Sequence, residues 1–301
     1  MKRKLGVAAG VLVALLGSAY AWFFVASEEA DGRWPLELTE VRKAASTLEG
    51  EKPTEVRVEK VATFSFPKGL VVTGAGWHAF PMACFAYQLV FPTGTAIIDT
   101  CMDEATAREG LPVETYDAAA WQRVQAALGR ADFSVATHEH YDHLGGAMVN
   151  ATAWERAIVN REQLEHPELV KPLTYPTVKP KRVLDYQGIT AIAPGVVLIR
   201  APGHTPGSQL VYVQLQSGAE VLFLGDVAWA AENVERVRER PRGATAVMNE
   251  DRRAVLQQLA ALNALEQSEP KVAQVPGHDV GALDGLVAAG VMKVGFVLPT
   301  P

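Results

Sequence analysis

The part of this 301-residue sequence that decides the fold reads Thr137-His138-Glu139-His140-Tyr141-Asp142-His143-Leu144-Gly145-Gly146. The chain has 7 histidines, and three of them lie in this run together with an aspartate. An apolar run, Phe133–Ala136, precedes it and predicts a short strand. Imidazole and carboxylate groups are suitable zinc ligands, and clustering them without a compensating cation would cost stability. The run therefore predicts a metal-binding turn that leaves the end of a strand.

Three more ligand-type residues occur later, each after an apolar run and a glycine. They are His204 in Gly-His-Thr-Pro-Gly, Asp226 in Gly-Asp, and His278 in Gly-His-Asp. One histidine after a strand is more often structural than metal-bound, but three similar strand exits beside the dense cluster favour one shared site. Seven ligands are too many for one tetrahedral zinc. They suit two ions about 3.5–4 Å apart that share a carboxylate and a water.

This HxHxDH run, with the later histidine, aspartate and histidine turns in this order, resembles the metallo-β-lactamase superfamily. The resemblance covers Val71 to about Asp279. It implies an α/β (α+β) fold, an αββα sandwich with two divalent metal ions, expected to be zinc, at one edge between two sheets. Strands outnumber helices along the chain and the helices are dispersed among them, which agrees with a layered sandwich.

The resemblance also implies a role for each ligand-type residue. The implied ligands are His138, His140 and His204 for the first metal, Asp142, His143 and His278 for the second, and Asp226 for both. Two cations would acidify a bridging water, and the hydroxide would attack a carbonyl or phosphoryl centre. Asp142 would orient this nucleophile or carry a proton to the leaving group. Asp99 matches an aspartate below the metals and is expected to fix a ligand histidine.

The residue at position 226 bears on which hydrolase this is. True β-lactamases of the superfamily usually have cysteine or serine there, whereas the sequence after Asp226 resembles the N-acyl homoserine lactonases. Trp229 stands where those enzymes usually have a tyrosine, and its indole can donate a hydrogen bond but cannot act as an acid. We expect a small-molecule lactone or related ester as substrate. The alternatives are a β-lactamase or thioesterase on the same site, or a non-catalytic metal-binding protein tethered to a membrane.

Four residues are candidates for contact with substrate. Trp229 is one, and Trp77, His78 and Phe80 lie in an apolar loop before a predicted hairpin, Phe85–Phe91 with Thr95–Thr100. In this superfamily the corresponding loop often covers the substrate. Ordinary packing of the hairpin explains the same residues equally well, and both interpretations stay open.

The N-terminus predicts export. Lys2, Arg3 and Lys4 precede an uncharged stretch from Leu5 to Ser27. A bilayer takes about 20 apolar residues and a signal-peptide core about 7–15, so the stretch is long enough to span. Cleavage at Ala19-Tyr20-Ala21 is the alternative. Because basic residues stay on the cytoplasmic side, either interpretation exports the catalytic part. In the first interpretation the helix is an anchor in the inner membrane, and the catalytic domain lies in the periplasm or outside the cell.

The predicted organisation is an anchor or signal segment over residues 1–27, a tether over 28–54 and a catalytic domain over 55–301. The net charge is −6 and the sequence has no basic patch, so nucleic acid is not an expected partner.

Three local predictions concern single segments. Cys84 and Cys101 flank the hairpin, and they either form a disulfide or are two small core residues. The apolar run Leu70–Thr73 predicts a strand. Asn249 predicts the N-cap of a long helix.

Overall fold

The computed structural model describes residues 2–298, with side chains from residue 7 onward. The basic side chains at 2–4 and the last three residues of the predicted domain lie outside that description. The strands are β1 Glu55–Pro67, β2 Ala79–Phe91, β3 Gly94–Ile98, β4 Val113–Tyr116, β5 Phe133–Val135, β6 Ala157–Asn160, β7 Arg182–Leu184, β8 Ile189–Ala193, β9 Val196–Arg200, β10 Gln209–Gln214, β11 Glu220–Gly225, β12 Val272–Pro276 and β13 Lys293–Val294.

The helices begin with α1 Lys2–Tyr20, which continues into a π-helical turn, Ala21–Val25. The other α-helices are α2 Leu38–Ala44, α3 Lys68–Val71, α4 Glu104–Gly110, α5 Ala118–Leu128, α6 Tyr141–Met148, α7 Ala151–Arg156, α8 Ala231–Arg236, α9 Arg242–Met248, α10 Arg252–Ser268 and α11 Val280–Ala288. A short 3₁₀ turn covers Arg161–Leu164. Aspartate or asparagine side chains cap several N-termini, as Asp117 does for α5 by accepting the amide of Ala120.

The strands form two sheets. The first has the order β13-β1-β2-β3-β5-β6-β7, with β4 paired to β1, and the second has the order β12-β11-β10-β9-β8. The predicted hairpin is confirmed as the antiparallel pair β2 and β3. Strand β11 runs parallel to β12, so the carboxyl ends of these two strands meet at one edge of the second sheet. Residues that follow them are therefore brought together.

Three apolar layers separate four layers of secondary structure. Strand β10 shows the principle, since its alternate residues face opposite sides. Val211 packs between the two sheets, while Tyr212 packs outward with Leu259 of α10. The outer face of the first sheet packs against α5, α6 and α7 through residues such as Val124. The predicted αββα sandwich is thus confirmed.

The N-terminal helix stands apart from these layers. Val7–Val25 has a mean hydropathy of 1.9, and none of it is buried within the protein. It is long and apolar enough to cross a bilayer, and signal sequences share these properties. The segment that follows returns to the sandwich: Val41 and Ala45 are each only 1% exposed and pack on the outer face of the second sheet. Part of the predicted tether is therefore held against the fold.

Two local predictions are wrong. Leu70–Thr73 is not a strand, because Lys68–Val71 is helical and Thr73 bonds through its amide to the carbonyl of Glu239. Short apolar runs do not distinguish these states by pattern alone. Asn249 does not cap α10. It ends α9 at a φ of +54°, which asparagine tolerates, and Asp251 caps α10 by accepting the amide of Ala254.

The two cysteines are free thiols buried in the same core. Burial raises the pKa of each well above its usual value, with nearby carboxylates adding to the effect. Of the two predictions for these cysteines, the structure has the second, in which both are core residues and no disulfide joins them.

Candidate metal centre

Four strand exits converge at one edge of the sandwich. The HxHxDH run leaves β5 and opens α6, His204 follows β9, Asp226 follows β11 and His278 follows β12. The glycines that precede Asp226 and His278 are needed because a larger side chain would clash there. Gly225 has a φ of +50°, and a Cβ there would lie 2.6 Å from Thr137. A Cβ on Gly277 would lie 2.5 Å from Asp226 Oδ1. The motif glycines thus let neighbouring backbones approach the donors.

The structure brings the predicted ligands together as two donor groups. In the first, His138 Nε2 lies 2.9 Å from His140 Nδ1, which lies 3.1 Å from His204 Nε2. Asp226 Oδ2 lies 3.8 Å from His138 Nε2 and 3.3 Å from His204 Nε2. Four donor atoms therefore face one another in a buried space.

The second group uses the other oxygen of the same carboxylate. Asp226 Oδ1 lies 3.3 Å from His143 Nε2 and 3.2 Å from His278 Nε2. Asp142 Oδ2 lies 3.5 Å and 3.7 Å from the same two nitrogens. Asp226 is thus shared, with one oxygen in each group, as the bridging role requires.

The donor set fits metal ions. Donors bound about 2.0–2.2 Å from one tetrahedral zinc lie about 3.3–3.6 Å from each other, and the observed spacings bracket that range. His143 Nε2 and Asp226 Oδ1 are buried and have no hydrogen-bond partner within residues 2–298. Leaving such atoms unsatisfied is costly. A cation between them would satisfy both.

The charges of the site also fit cations. Burial lowers the pKa of His140 to about 3 and that of His138 well below its usual value, so both are neutral imidazoles with a free lone pair. Burial opposes charge at His143 and Asp226 too. The surrounding carboxylates nevertheless raise the pKa of His143, and the histidines, His278 first, hold the pKa of Asp226 low. The buried carboxylates therefore need a positive counter-charge, and metal ions would supply it.

The far nitrogens of three histidines are held by fixed partners. His143 Nδ1 lies 2.8 Å from Asp99 Oδ2, so the predicted contact of Asp99 is confirmed. His278 Nδ1 donates to the carbonyl of Ala83 at 2.9 Å, and His204 Nδ1 lies 2.9 Å from Glu250 Oε2. Such contacts fix the tautomer and aim the other nitrogen at the site.

Three buried charged residues that sequence reasoning missed support these histidines. Arg240 is 1% exposed, donates to Glu250 and also donates to the backbone carbonyl of Asp226. Glu139 is fully buried and accepts Thr205 Oγ1 at 2.8 Å and the amide of Gly207 at 3.0 Å. It therefore joins the HxHxDH turn to the turn that carries His204. Glu139 was visible inside the motif, whereas Arg240 and Glu250 carried no local signal.

A cavity of about 260 Å³ opens over the donor groups. Its walls include Phe64, Phe66, Leu111, Tyr141 and Trp229. Of these, only Trp229 was predicted. The indole Nε1 of Trp229 donates to Asp226 Oδ2 at 2.6 Å, so its role toward a substrate carbonyl stays a prediction.

The other three candidates for contact with substrate lie elsewhere: Trp77 and His78 are in the loop before β2, and Phe80 is within β2 rather than in that loop. Trp77 Nε1 donates to the hydroxyl of Tyr20 at 2.6 Å, and Phe80 packs under the ammonium group of Lys68. Neither residue, nor the exposed His78, lines this cavity. Met82 at the start of β2 does line it. Cys84 is a further neighbour, since its sulfur lies within 4.8 Å of donor atoms of Asp142 and His278.

Two buried donor groups that share a carboxylate, beneath a cavity at the edge of an αββα sandwich, define the class of metal-dependent hydrolases. A comparison with family models agrees, because the metallo-beta-lactamase superfamily model matches residues 79–278. That match spans more than half of the chain. The chain belongs to the metallo-β-lactamase superfamily.

The relatives that this chain resembles include N-acyl homoserine lactonases. An N-acyl homoserine lactonase from Bacillus sp is 29% identical over 176 residues, which cover 52% of this chain and 67% of the relative. The lactonase AiiA from Bacillus thuringiensis subsp. kurstaki is 28% identical over 178 residues, with the same coverage. A solved N-acyl homoserine lactone hydrolase, with N-hexanoyl-L-homoserine at its catalytic metal centre, has a TM-score of 0.60 at 20% identity. The superposition covers 78% of this chain and 96% of the chain of that hydrolase. This likeness supports the assignment of the fold.

Proposed function

We propose that the protein opens a lactone or a related ester with two divalent metal ions, zinc in the first instance. The proposed ligands are His138, His140 and His204 for one ion, Asp142, His143 and His278 for the other, and Asp226 for both. The observation that carries the proposal is the division of the Asp226 carboxylate, whose two oxygens face different donor groups. When bound, the ions would supply hydroxide near neutral pH and polarise the carbonyl of the substrate.

The chain's own residues would divide the remaining work. Asp142 borders both the second donor group and the cavity, so its carboxylate can take a proton from the attacking water. It can then give that proton to the ring oxygen as the acyl carbon–oxygen bond breaks, which yields a hydroxy acid. Trp229 would hold Asp226 in place through its indole N–H. The walls of Phe64 and Phe66 would keep bulk water away from the bound ring.

Residues 55–301 would form the catalytic domain, and residues 1–27 the anchor or signal segment. The exposed apolar helix supports export, with the domain on the far side of the inner membrane. Extraction at alkaline pH tests this. An anchored chain stays with the membrane and keeps its N-terminus, while a cleaved chain is released and begins near Trp22.

The substrate is tested on the metal-loaded full chain. We would assay an N-acyl homoserine lactone, a chromogenic cephalosporin and a thioester in parallel, with His138→Ala as the matched variant. Preferred turnover of the lactone, lost in the variant, is expected. Preferred turnover of the cephalosporin or the thioester would keep the site and contradict the lactone assignment.

A further inference from the structure

A second cavity of about 330 Å³ adjoins the cavity over the donor groups. We call it the tail cavity and define it by Phe24, Phe66, Leu70, Trp229, Val247 and Met248. Phe66, Trp229 and Met248 also line the first cavity, so the two spaces share a wall. The first cavity is just below the usual range of about 300–1,000 Å³ for a ligand site and the tail cavity lies near its lower end, so together they make a site of ordinary size.

The walls of the tail cavity are apolar. The single polar atom among these six side chains is the indole Nε1 of Trp229, and it already donates to Asp226. A polar ligand group would lose its water there without gaining a partner. Val247 adds an aliphatic side chain at the rim, where it is 87% exposed. The chemistry of the cavity therefore selects a hydrocarbon.

One wall comes from outside the catalytic domain. Phe24 belongs to the π-helical turn at the end of the apolar N-terminal helix. Its ring lies 5.4 Å from the ring of Trp77 in an edge-on arrangement, and its carbonyl accepts the amide of Gly74 at 3.1 Å. Trp77 thus fixes the wall of this cavity rather than the metal cavity.

Arg242 holds the same turn against α9. Its guanidinium carbon lies 3.9 Å from the ring centre of Trp22, and its Nη1 donates to the carbonyls of Trp22 and Ala26 at 3.1 Å and 2.9 Å. A further ion pair joins Arg242 to Glu28. These contacts involve residues beyond Ala21, so they remain in the chain whether or not the signal-like segment is cleaved there.

We propose that the tail cavity binds the alkyl chain of an amphiphilic substrate whose ester or lactone head lies over the donor groups, and that Phe24 sets the length of chain it accepts. This inference rests on the proposed function for the identity of the head group. The cavity lies where the membrane-type helix ends, so a substrate with a long apolar tail suits both the wall and its position.

Homoserine lactones that differ only in tail length, from butanoyl to dodecanoyl, test the inference on the full chain in lipid nanodiscs. Each methylene that enters the cavity is expected to raise kcat/KM about 3- to 4-fold until the cavity is full. Phe24→Trp should end this rise at a shorter tail. Phe24→Ala should lower kcat/KM for the decanoyl substrate about tenfold, and this loss should become smaller as the tail is shortened.

The matched control is Phe23→Ala, which removes an equal ring from the neighbouring position. Phe23 is 46% exposed and does not line the cavity, so its variant should keep the wild-type profile. A flat profile, or one that Phe24 variants leave unchanged while lactones are still opened, would overturn the inference and leave the proposed function standing.

Binding to metal-stripped protein separates the two proposals. The ring-opened N-decanoyl and N-butanoyl homoserines would be titrated by calorimetry against the full chain in nanodiscs, with empty nanodiscs subtracted. Tighter binding of the decanoyl compound, weakened about tenfold in Phe24→Ala, supports the tail cavity even if no lactone is turned over. Equal affinities in wild type and Phe24→Ala would contradict it.

Discussion

The metal centre and the tail cavity share Trp229 as a wall, but they are assembled from the chain in different ways. Every donor of the metal centre follows a strand within a short motif, and its position is set by the strand that precedes it. The tail cavity is built from single apolar residues such as Phe24, Phe66 and Met248, which are far apart in sequence. Polar chemistry is thus encoded locally here, while the apolar shape next to it depends on contacts between distant segments.

The largest effect is expected from Asp226→Ala. It removes the carboxylate shared by both donor groups and leaves His143 and His278 without the oxygen that both their Nε2 atoms face. Both metals should be lost, and turnover should fall by more than the ~10–100-fold that an outer partner costs. Metal analysis and kinetics check this. Asp117→Ala, which removes a distant helix cap, should cost about 1 kcal/mol of stability and keep the metals.

Glu250→Gln tests the buried support of the centre. It leaves the guanidinium of Arg240 buried without a charge partner, and such losses cost about 3–5 kcal/mol. Affinity at the group containing His204 should also fall about 10–100-fold. Denaturant unfolding and metal titration measure both effects.

The control for Glu250 is an exposed pair. Arg161 and Asp185 are 57% and 67% exposed, so Asp185→Asn should change the free energy of unfolding by less than about 1 kcal/mol. Equal destabilisation by the two variants would contradict a supporting role for Glu250.

Trp229→Phe tests the boundary between the two regions. Phenylalanine keeps an aromatic ring beside Phe66 but cannot donate to Asp226. We expect kcat/KM to fall about tenfold for short-tailed and long-tailed substrates alike, since the lost hydrogen bond holds Asp226 among the donors beneath the head group. A loss confined to long tails would assign Trp229 to the tail cavity alone.

The smallest effect concerns the segment that leads from the tail cavity back to the sandwich. Arg42 in that segment pairs with Glu220 at 2.7 Å, and this contact first of all lowers the pKa of Glu220. A lowered pKa stabilises the fold at any pH above the pKa of the unfolded chain, about 4.3. This stabilisation is lost as the pH falls through the pKa of Glu220 in the folded protein.

Glu220→Gln should therefore reduce the free energy of unfolding by up to about 1 kcal/mol at pH 7, with the difference from wild type vanishing in acid. Unfolding at a series of pH values measures this. Glu40→Gln, in an exposed pair with Lys43, should have no comparable effect. A difference that grows in acid would contradict the assigned sign.

Much of the fold and the donor set could be predicted because the signals are local. The HxHxDH run and the three glycine-led exits depend on strand direction and backbone space, which a short sequence expresses. Asn249 was misassigned because asparagine suits both a helix start and a left-handed helix end. Here the tertiary contacts selected the second state.

The rest of the site lacked such a signal. Arg240 and Glu250 are ordinary charged residues until the fold buries them beside His204. Trp77 was a candidate for contact with substrate or for hairpin packing, but its hydrogen-bond partner is Tyr20, which is 57 positions away. No periodic pattern along the chain expresses a pairing of that kind. For the same reason Phe24 could not be connected with a cavity from the sequence.

The central claim is that two metal ions share Asp226, and anomalous diffraction at the zinc absorption edge tests it most directly. Crystals of the zinc-loaded chain should show two peaks, each about 2.0–2.2 Å from one Asp226 oxygen. One peak should contact His138, His140 and His204, and the other Asp142, His143 and His278. A single peak, or two peaks of which neither touches Asp226, would contradict the account.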